Sequence, residues 1–530
     1  MSESETPLTG IPKVNPLAVI KLLLPHLPNL VLKTGSHLLS FSPQAQYWDL
    51  KTTLTVAFIK SAIAQPFAPG RAPPTVEKAQ ADTLKPTKVE DDTWCAEVSY
   101  SPGEGFNGED VIRAAIIALG AAGDEEAILK VSAEGLSGEW ISSRSTPRPA
   151  DEAARSPEET YAALAADTQE KDSAILYLHG GAYYLCDPHT HRPSAVKLSR
   201  QAKTRAFVVR YRLSPQSPFP GPLLDALISY LYLLYPPPGA MHAPIAAEKI
   251  VFSGDSAGGG LSLALLQLLI HFSRTGTGKV HWYGQDVAVP LPGGVALISA
   301  WCDVPRSFGE MSGYTAGSEN SCEVYDYLPL PQQTATIVYA DSPAWNAEIR
   351  KQRGGTQFYA PDRLMTHPLV SPLLAESWVG GRGEMVPVWM SVGDECLRDQ
   401  NLYLAHRLHT AGIKLRLEIY TAMPHVFQAM LGHLKVADMS WASMGKFVRH
   451  ATGAQDAGDG YWKRERIHPK TLDVTEVPES ELKVGGFEFE QVKEMLAAAT
   501  RRCNELADGG GGKVKDVPGG AKAAVTMAKI

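Results

Sequence analysis

The chain has 530 residues, 44% hydrophobic and 20% charged, enough for one large domain with insertions or for two or three ordinary ones. Its formal charge of −7 excludes a general nucleic-acid binder, which needs a basic surface to neutralise phosphates. Six scattered cysteines with no C-x-x-C pair and no N-x-S/T sequon point to free thiols in a reducing compartment.

Residues 1–90 read as a helical cap segment and linker. The start, "MSESETPLTG", is polar and acidic, unlike a signal peptide. "PLAVIKLLLPHLPNLVL" is broken by Lys21, Pro25, His26 and Pro28 and is too short to span a bilayer. A cap helix or an interfacial hairpin is expected there, with peripheral membrane or lipid-surface contact through residues 17–33. "YWDLKTTLTVAFIKSAIAQ" has helical spacing, and the Pro- and Ala-rich "PFAPGRAPPTVEKAQADTLKP" is a linker. Short strands are expected in "TWCAEVSYS", "AILKVSAEGL" and "GEWISSR".

From residue 173 apolar strands alternate with helices. "AILYLHG", "RAFVVRYRL", "KIVFSG", "GVALISA", "VPVWMSVG" and "LRLEIYT" are near-continuous apolar runs, as in strands covered on both faces. Helical stretches such as "GPLLDALISYLYLLY" and "QNLYLAHRLHTAG" separate them. The expected fold class is α/β, a mostly parallel doubly wound sheet forming a catalytic domain over 91–450. Residues 273–292 lengthen one connection. Residues 303–368 form a long insertion after strand 6, expected to join the cap. Residues 451–530 read as a tail with one helix, "FEFEQVKEMLAAATRRCNEL", and a low-complexity end.

Gly254-Asp255-Ser256-Ala257-Gly258 fits G-x-S-x-G, after a strand and before the helical "LSLALLQLLIHF". A glycine-rich turn can hold an idle serine. The strand–turn–helix setting instead fits a nucleophile elbow, where residues two before and two after the serine must lack bulk. Upstream, His179-Gly180-Gly181-Ala182 opens a loop after a strand. The amides of Gly180, Gly181, Ala182 and Ala257 are candidate donors to an oxyanion, each donor of this kind being worth about 2.7–4 kcal/mol.

HGGA before GDSAGG, with "YRLSPQSPFP" between them, resembles the hormone-sensitive-lipase-like family of α/β hydrolases over roughly residues 165–450. The family's HGGG box forms the oxyanion hole; here Ala182 replaces the third glycine, and His179 reads as structural. The α/β-hydrolase order is Ser, acid, His. In "EIYTAMPHVFQAM" His425 matches the family's histidine segment, while His406, His409 and His433 lie in helical stretches. Registering "GDECLRD" on the family's D-x-L-x-D puts Glu395 at the acid position, with Asp394 as the alternative and Asp399 as a helix cap. "WDLKTTLTVAFIK" also resembles the leading cap helix of fungal members.

The resemblance implies a serine carboxylic-ester hydrolase with Ser256, Glu395 and His425 as its triad, forming an acyl-enzyme on an uncharged, lipophilic small-molecule ester. Trp301, Phe308, Tyr314, Tyr325 and Tyr327 are expected to wall its pocket. The alternatives are a non-catalytic small-molecule receptor on the same fold, which in plant hormone receptors lacks the histidine, and a deacetylase of an acetylated sterol-like or secondary-metabolite alcohol. No cofactor or metal is implied. "RTGTGKVH" lacks phosphate-loop spacing, and Asp187, ahead of His189 and His191, reads as a helix cap. A cytoplasmic location is expected, although Ala528-Lys529-Ile530 loosely resembles the S-K-L peroxisomal address. Oligomeric state is not legible.

Overall fold

Strands whose two faces are both apolar can be stable only where helices cover both sides. In the computed structural model the runs above lie side by side in such a sheet. It describes residues 24–67, 71–121, 130–310, 322–330, 339–353, 355, 357–456 and 458–508. The strands are β1 (Thr93–Tyr100), β2 (Leu136–Ser143), β3 (Ala174–Leu178), β4 (Arg205–Arg210), β5 (Ile250–Asp255), β6 (Lys279–Trp282), β7 (Gln285–Ala288), β8 (Gly294–Ile298), β9 (Val388–Gly393), β10 (Leu415–Tyr420), β11 (Arg464–Ile467) and β12 (Val474–Glu476). All but the β6–β7 hairpin join one ten-stranded sheet in the order β1-β2-β4-β3-β5-β8-β9-β10-β11-β12. Pairing is parallel from β4 through to β11 and antiparallel at both edges.

The helices that position the site are α1 (Leu27–Leu38), α2 (Leu50–Ala64), α3 (Pro188–Ala202), α4 (Gly221–Leu234), α5 (Ala257–Thr275), α6 (Arg398–Thr410), α7 (Lys435–Ala451) and α8 (Phe489–Asp508). One core joins α4, α5 and α6 to one face of the sheet. A second joins α3 and α7 to the other face. Every residue of β3, β5, β8 and β9 is buried, so the doubly wound expectation holds.

The structure departs from the sequence reading at several points. Within the expected linker "PFAPGRAPPTVEKAQADTLKP", Val76–Thr83 forms a helix capped by Thr75, with Val76 and Gln80 buried. In "AILKVSAEGL" only Leu136 enters a strand, and residues 127–129 lie outside the described ones. The backbone there serves side chains instead of a ladder: Ala133 donates to Glu109 and Ser132 accepts from Arg212. The tail also carries more than one helix. β11 lies parallel to β10 and pairs with β12, so the sheet continues past residue 450. Beyond them α8 sinks Val492 and Leu496 into the larger core. The end of the tail, 509–530 with its Ala-Lys-Ile, lies outside the described residues.

The insertion and the N-terminal segment meet. Thr75 bridges Ala340, and Gln44 Nε2 donates to the Val324 carbonyl (2.6 Å). From α2's leading edge Trp48 Nε1 donates to Ala422 O (2.7 Å), in the loop after β10. Among the described residues no helix is long and apolar enough to cross a membrane.

Because Leu496 is fully buried in the main core, Leu496→Ala should lower global stability by about 2–5 kcal/mol. A urea midpoint identical to wild type would show the tail to be an appendage.

Candidate active site

β5 ends at Asp255 and α5 begins at Ala257, leaving Ser256 alone to make the turn, at φ 52° and ψ −122°. A side-chain residue adopts that conformation only when its surroundings impose it. Ser256 N donates to Ile298 O (2.9 Å), and Ser256 O accepts from Trp301 N (2.8 Å) and Gly260 N (3.1 Å). The turn also needs bare neighbours. A Cβ on Gly254 would lie 2.5 Å from the Gly258 backbone, and one on Gly258 would lie 1.9 Å from Leu178 O. The result is a half-buried serine between buried neighbours, as the motif required.

Asp255, buried, ties this elbow to the loop after β3. Its Oδ1 accepts from Tyr177 Oη (2.8 Å) and from Gly180 N (3.2 Å). Burial alone would raise its pKa, but His191 and Tyr177 outweigh that and hold it below the usual carboxylate value. The Gly180 contact corrects the sequence reading: that N–H is committed to a carboxylate and cannot also serve an oxyanion. Gly181 (φ 109°) and Ala182 (φ 53°) turn the chain the left-handed way. Their amides and that of Ala257 have no protein acceptor among the described residues. His179 is stacked on Tyr211 at 4.2 Å with Nδ1 on Gly180 O (2.7 Å). Burial drives its pKa down to about 3, so it is neutral and structural. Asp187 caps α3, accepting from His189 N, and pairs with Arg210.

On the other side, β10 delivers His425 and β9 delivers Glu395. The buried Glu395 carboxylate accepts from His425 Nδ1 through Oε2. Its Oε1 accepts from Ser299 Oγ and from Gly393 N (3.2 Å). Ser299 Oγ in turn accepts from Val426 N (3.2 Å), the residue after the histidine. Burial pushes the His425 pKa down, but Glu395, Asp326 and Asp255 outweigh it and the net shift is upward.

Asp394 faces elsewhere. It accepts from Ala422 N (2.7 Å) and lies 3.5 Å from Arg398 and 3.8 Å from Arg466. Asp399 is not the cap of α6: Leu397 holds that position and Asp399 stands in the first turn, where a carboxylate complements the helix dipole. His406 and His409 lie in α6 as expected. His433 does not lie in a helix; it occupies the turn before α7 and contacts Thr52 of α2 (3.2 Å).

Of the expected pocket wall, Tyr327 stands 6.1 Å edge-on from the His425 ring, and Trp301 lies 5.9 Å from Tyr183 in the loop after β3. Tyr325 packs instead on Tyr47 and Trp48 (5.9 and 6.0 Å). Phe308 packs on Tyr403 and Phe487 (5.4 and 6.4 Å). Both are core residues rather than wall, and Tyr314 lies outside the described residues. Sequence reasoning missed Asp255, Ser299 and Asp326 as supports. Only Asp255 carried any signal, as the residue before the serine.

Residues 175–429 match the model of a family described by the α/β-hydrolase fold, a span running from β3 past His425. The protein has the α/β-hydrolase fold. Among curated relatives, it is 28% identical over 282 residues to an acetyl-hydrolase of Streptomyces hygroscopicus, covering 53% of this chain and 76% of that one. It is 27% identical over 286 residues to the esterase LipU of Mycobacterium tuberculosis (53% and 78%). It is 28% identical over 268 residues to an ethyl acetate hydrolase of Pseudomonas putida (50% and 69%). Each of these matches covers about half of this chain.

The two backbone constraints predict changes of opposite sign. Gly258→Ala forces a methyl against a strand carbonyl and should cost about 1–3 kcal/mol or more. Ala182→Gly removes a left-handed alanine and should gain up to about 1 kcal/mol. Thermal midpoints of the two variants check both.

Proposed function

We propose that the protein is a serine carboxylic-ester hydrolase working through an acyl-enzyme, with Ser256, His425 and Glu395 as its triad. The observation that carries this reading is the buried Glu395 carboxylate on His425 Nδ1, in a fold whose β5–α5 turn presents a serine. With Nδ1–H held by Glu395, the lone pair of His425 is at Nε2. It takes the Ser256 proton as Oγ attacks the ester carbonyl. The amides of Gly181, Ala182 and Ala257 hold the negative oxygen, and the Ser256 position at the N-terminus of α5 adds the helix dipole. The His425 imidazolium then protonates the departing alcohol, and water repeats the sequence on the acyl-enzyme.

The relatives are an acetyl-hydrolase, an esterase and an ethyl acetate hydrolase, which supports a short acyl group. The aromatic rings of Tyr327 and Trp301 support an uncharged ester of an apolar alcohol. Retention of His425 favours catalysis over a receptor role. Likeness to fungal members rests on the "WDLKTTLTVAFIK" helix alone; the three relatives above are bacterial.

Turnover of p-nitrophenyl acetate tests this. Ser256→Ala should lower kcat by about 10⁴-fold or more, and Glu395→Gln by about 10³–10⁴-fold, while Asp394→Asn stays within about tenfold of wild type. Substantial turnover by Ser256→Ala would refute the triad. The base must be neutral and its pKa is raised, so kcat/KM should fall with acid through a value above the ordinary histidine pKa of about 6.5. Glu395→Gln removes a charge that stabilises the imidazolium, so that limb should move to lower pH.

We also propose that α1 meets an anionic lipid surface; of the expected 17–33 contact, residues 17–23 lie outside the described ones. The helix is inside-out. His26 and His37 bond Ser61 and Thr53 of α2 (2.7 and 2.8 Å), while Val31, Leu38 and Phe41 are 68%, 67% and 78% exposed. Between Glu5 and Asp49 the sequence holds Lys13, Lys21 and Lys33 and no acid, in a chain of negative net charge. Such a surface suits interfacial docking on anionic headgroups. The protein should float with phosphatidylserine vesicles and less with phosphatidylcholine ones, and the double change Val31→Asp, Leu38→Asp should release it. Flotation unaffected by that change would sink this reading.

A further inference from the structure

The cap insertion reaches into the loops that carry the acid and the base. Asp326 follows the short helix Cys322–Tyr325 and is 1% exposed. Its Oδ1 accepts from Tyr327 N (2.8 Å) and from His425 N (3.1 Å). Its Oδ2 accepts from Cys396 N (2.8 Å). Cys396 directly follows Glu395, so one carboxylate grips the peptide of the acid's neighbour and the peptide of the histidine itself. Resting on the triad reading above, we propose that Asp326 is a positioning residue: it holds the Glu395 and His425 loops in mutual register and makes that register depend on the docked insertion.

The chemistry of the contact asks for a carboxylate. All three partners are N–H donors, and two oxygens with several lone pairs satisfy them together. Asparagine would offer one oxygen and turn an NH₂ group toward a donor. A carboxylate buried this deeply is costly unless hydrogen-bonded, and charge-assisted bonds to backbone N–H groups are the strong kind. The insertion that carries it is itself moored on several sides. Cys322 Sγ lies 3.2 Å from Cys396 Sγ, and Cys396 Sγ also meets Leu328 O (3.7 Å). Lys60 Nζ donates to Asp326 O (3.3 Å), and Tyr325 packs against Tyr47 and Trp48.

The same carboxylate acts on the imidazole through space. The charged groups that act on His425 are Glu395 from the loop after β9, Asp326 from the insertion and Asp255 from the end of β5; the uncharged Tyr327 ring stands edge-on at 6.1 Å. Removing the Asp326 charge leaves two of the three anions that favour the imidazolium. A packing residue without charge would have no such effect.

The test is Asp326→Asn, with Asp326→Ser as a second variant that avoids the donor–donor clash, assayed on p-nitrophenyl acetate with the folded fraction fixed by circular dichroism. Per folded molecule, kcat should fall about 10–100-fold with KM within about threefold of wild type. The acid limb of kcat/KM should move to lower pH in both variants, and Asp326→Glu should recover part of kcat. If either folded variant keeps wild-type kcat and an unmoved limb, the inference is overturned. If both variants unfold, denaturant-free NMR of wild type at matched pH should still resolve a slowly exchanging His425 backbone amide; rapid exchange of that amide overturns the proposal. Esterase activity of wild type that is lost in Ser256→Ala, beside an unaffected Asp326→Asn, removes this inference alone. Wild type with no esterase activity removes the triad reading beneath it.

Discussion

A carboxylate and an imidazole taken out of water together set the terms for much of this molecule. Burial of a carboxylate is costly unless its lone pairs are satisfied. Glu395 meets that condition with the Ser299 hydroxyl and the Gly393 amide on its second oxygen. Ser299 is held in turn, because it also accepts from Val426 N. The pair is therefore one knot of hydrogen bonds joining the ends of β8, β9 and β10. Parallel strands deliver all three ends to one side of the sheet, which explains why residues so distant in sequence can share it.

A second constraint is steric. The described chain has twelve non-glycine residues with left-handed φ, and Ala182, Tyr183, Cys186, Ser256, Ser299, Ala422 and Val426 are among them. They fall in the loops that follow β3, β5, β8 and β10. Strained backbone of this kind persists only where the surroundings over-determine it. Here Asp255 fixes the β3 loop to the elbow, and Trp48 of the cap fixes Ala422. Both ties run from a side chain to a backbone group of a strained loop.

Much of this was legible in the sequence. Glycines 254 and 258 stood where a tight turn requires them, and the unbroken apolar runs announced buried parallel strands. The choice of Glu395 over Asp394 came from register on Leu397. In the structure the Glu395 carboxylate lies on His425 Nδ1, while Asp394 turns to Ala422 and two arginines. What could not be read were contacts with no periodicity. Gly180 looked like a free donor because nothing in HGGA says that Asp255 claims its amide. Phe308 and Tyr325 looked like pocket wall because composition marks a residue as apolar without saying which way it points. The tail read as one helix because its strands are short and polar: β12 is exposed along its length, which no alternation rule would mark.

The same limit explains the cap. Ordinary amphipathic logic puts leucines inward, and by that logic the N-terminal apolar run should be core. Instead His37 of α1 and His26 in the turn before it bond α2, and Val31, Leu32 and Leu38 are left outward. That arrangement is tolerable because α2, not α1, carries the contact with the domain: Thr52 and Val56 are buried, and Trp48 reaches the loop before His425. The cap thus has two faces with different tasks. One grips the histidine loop and the insertion, where position matters to within a hydrogen bond. The other is apolar and outward, with Val31, Leu32 and Leu38 exposed, and it is the face proposed above for anionic headgroups.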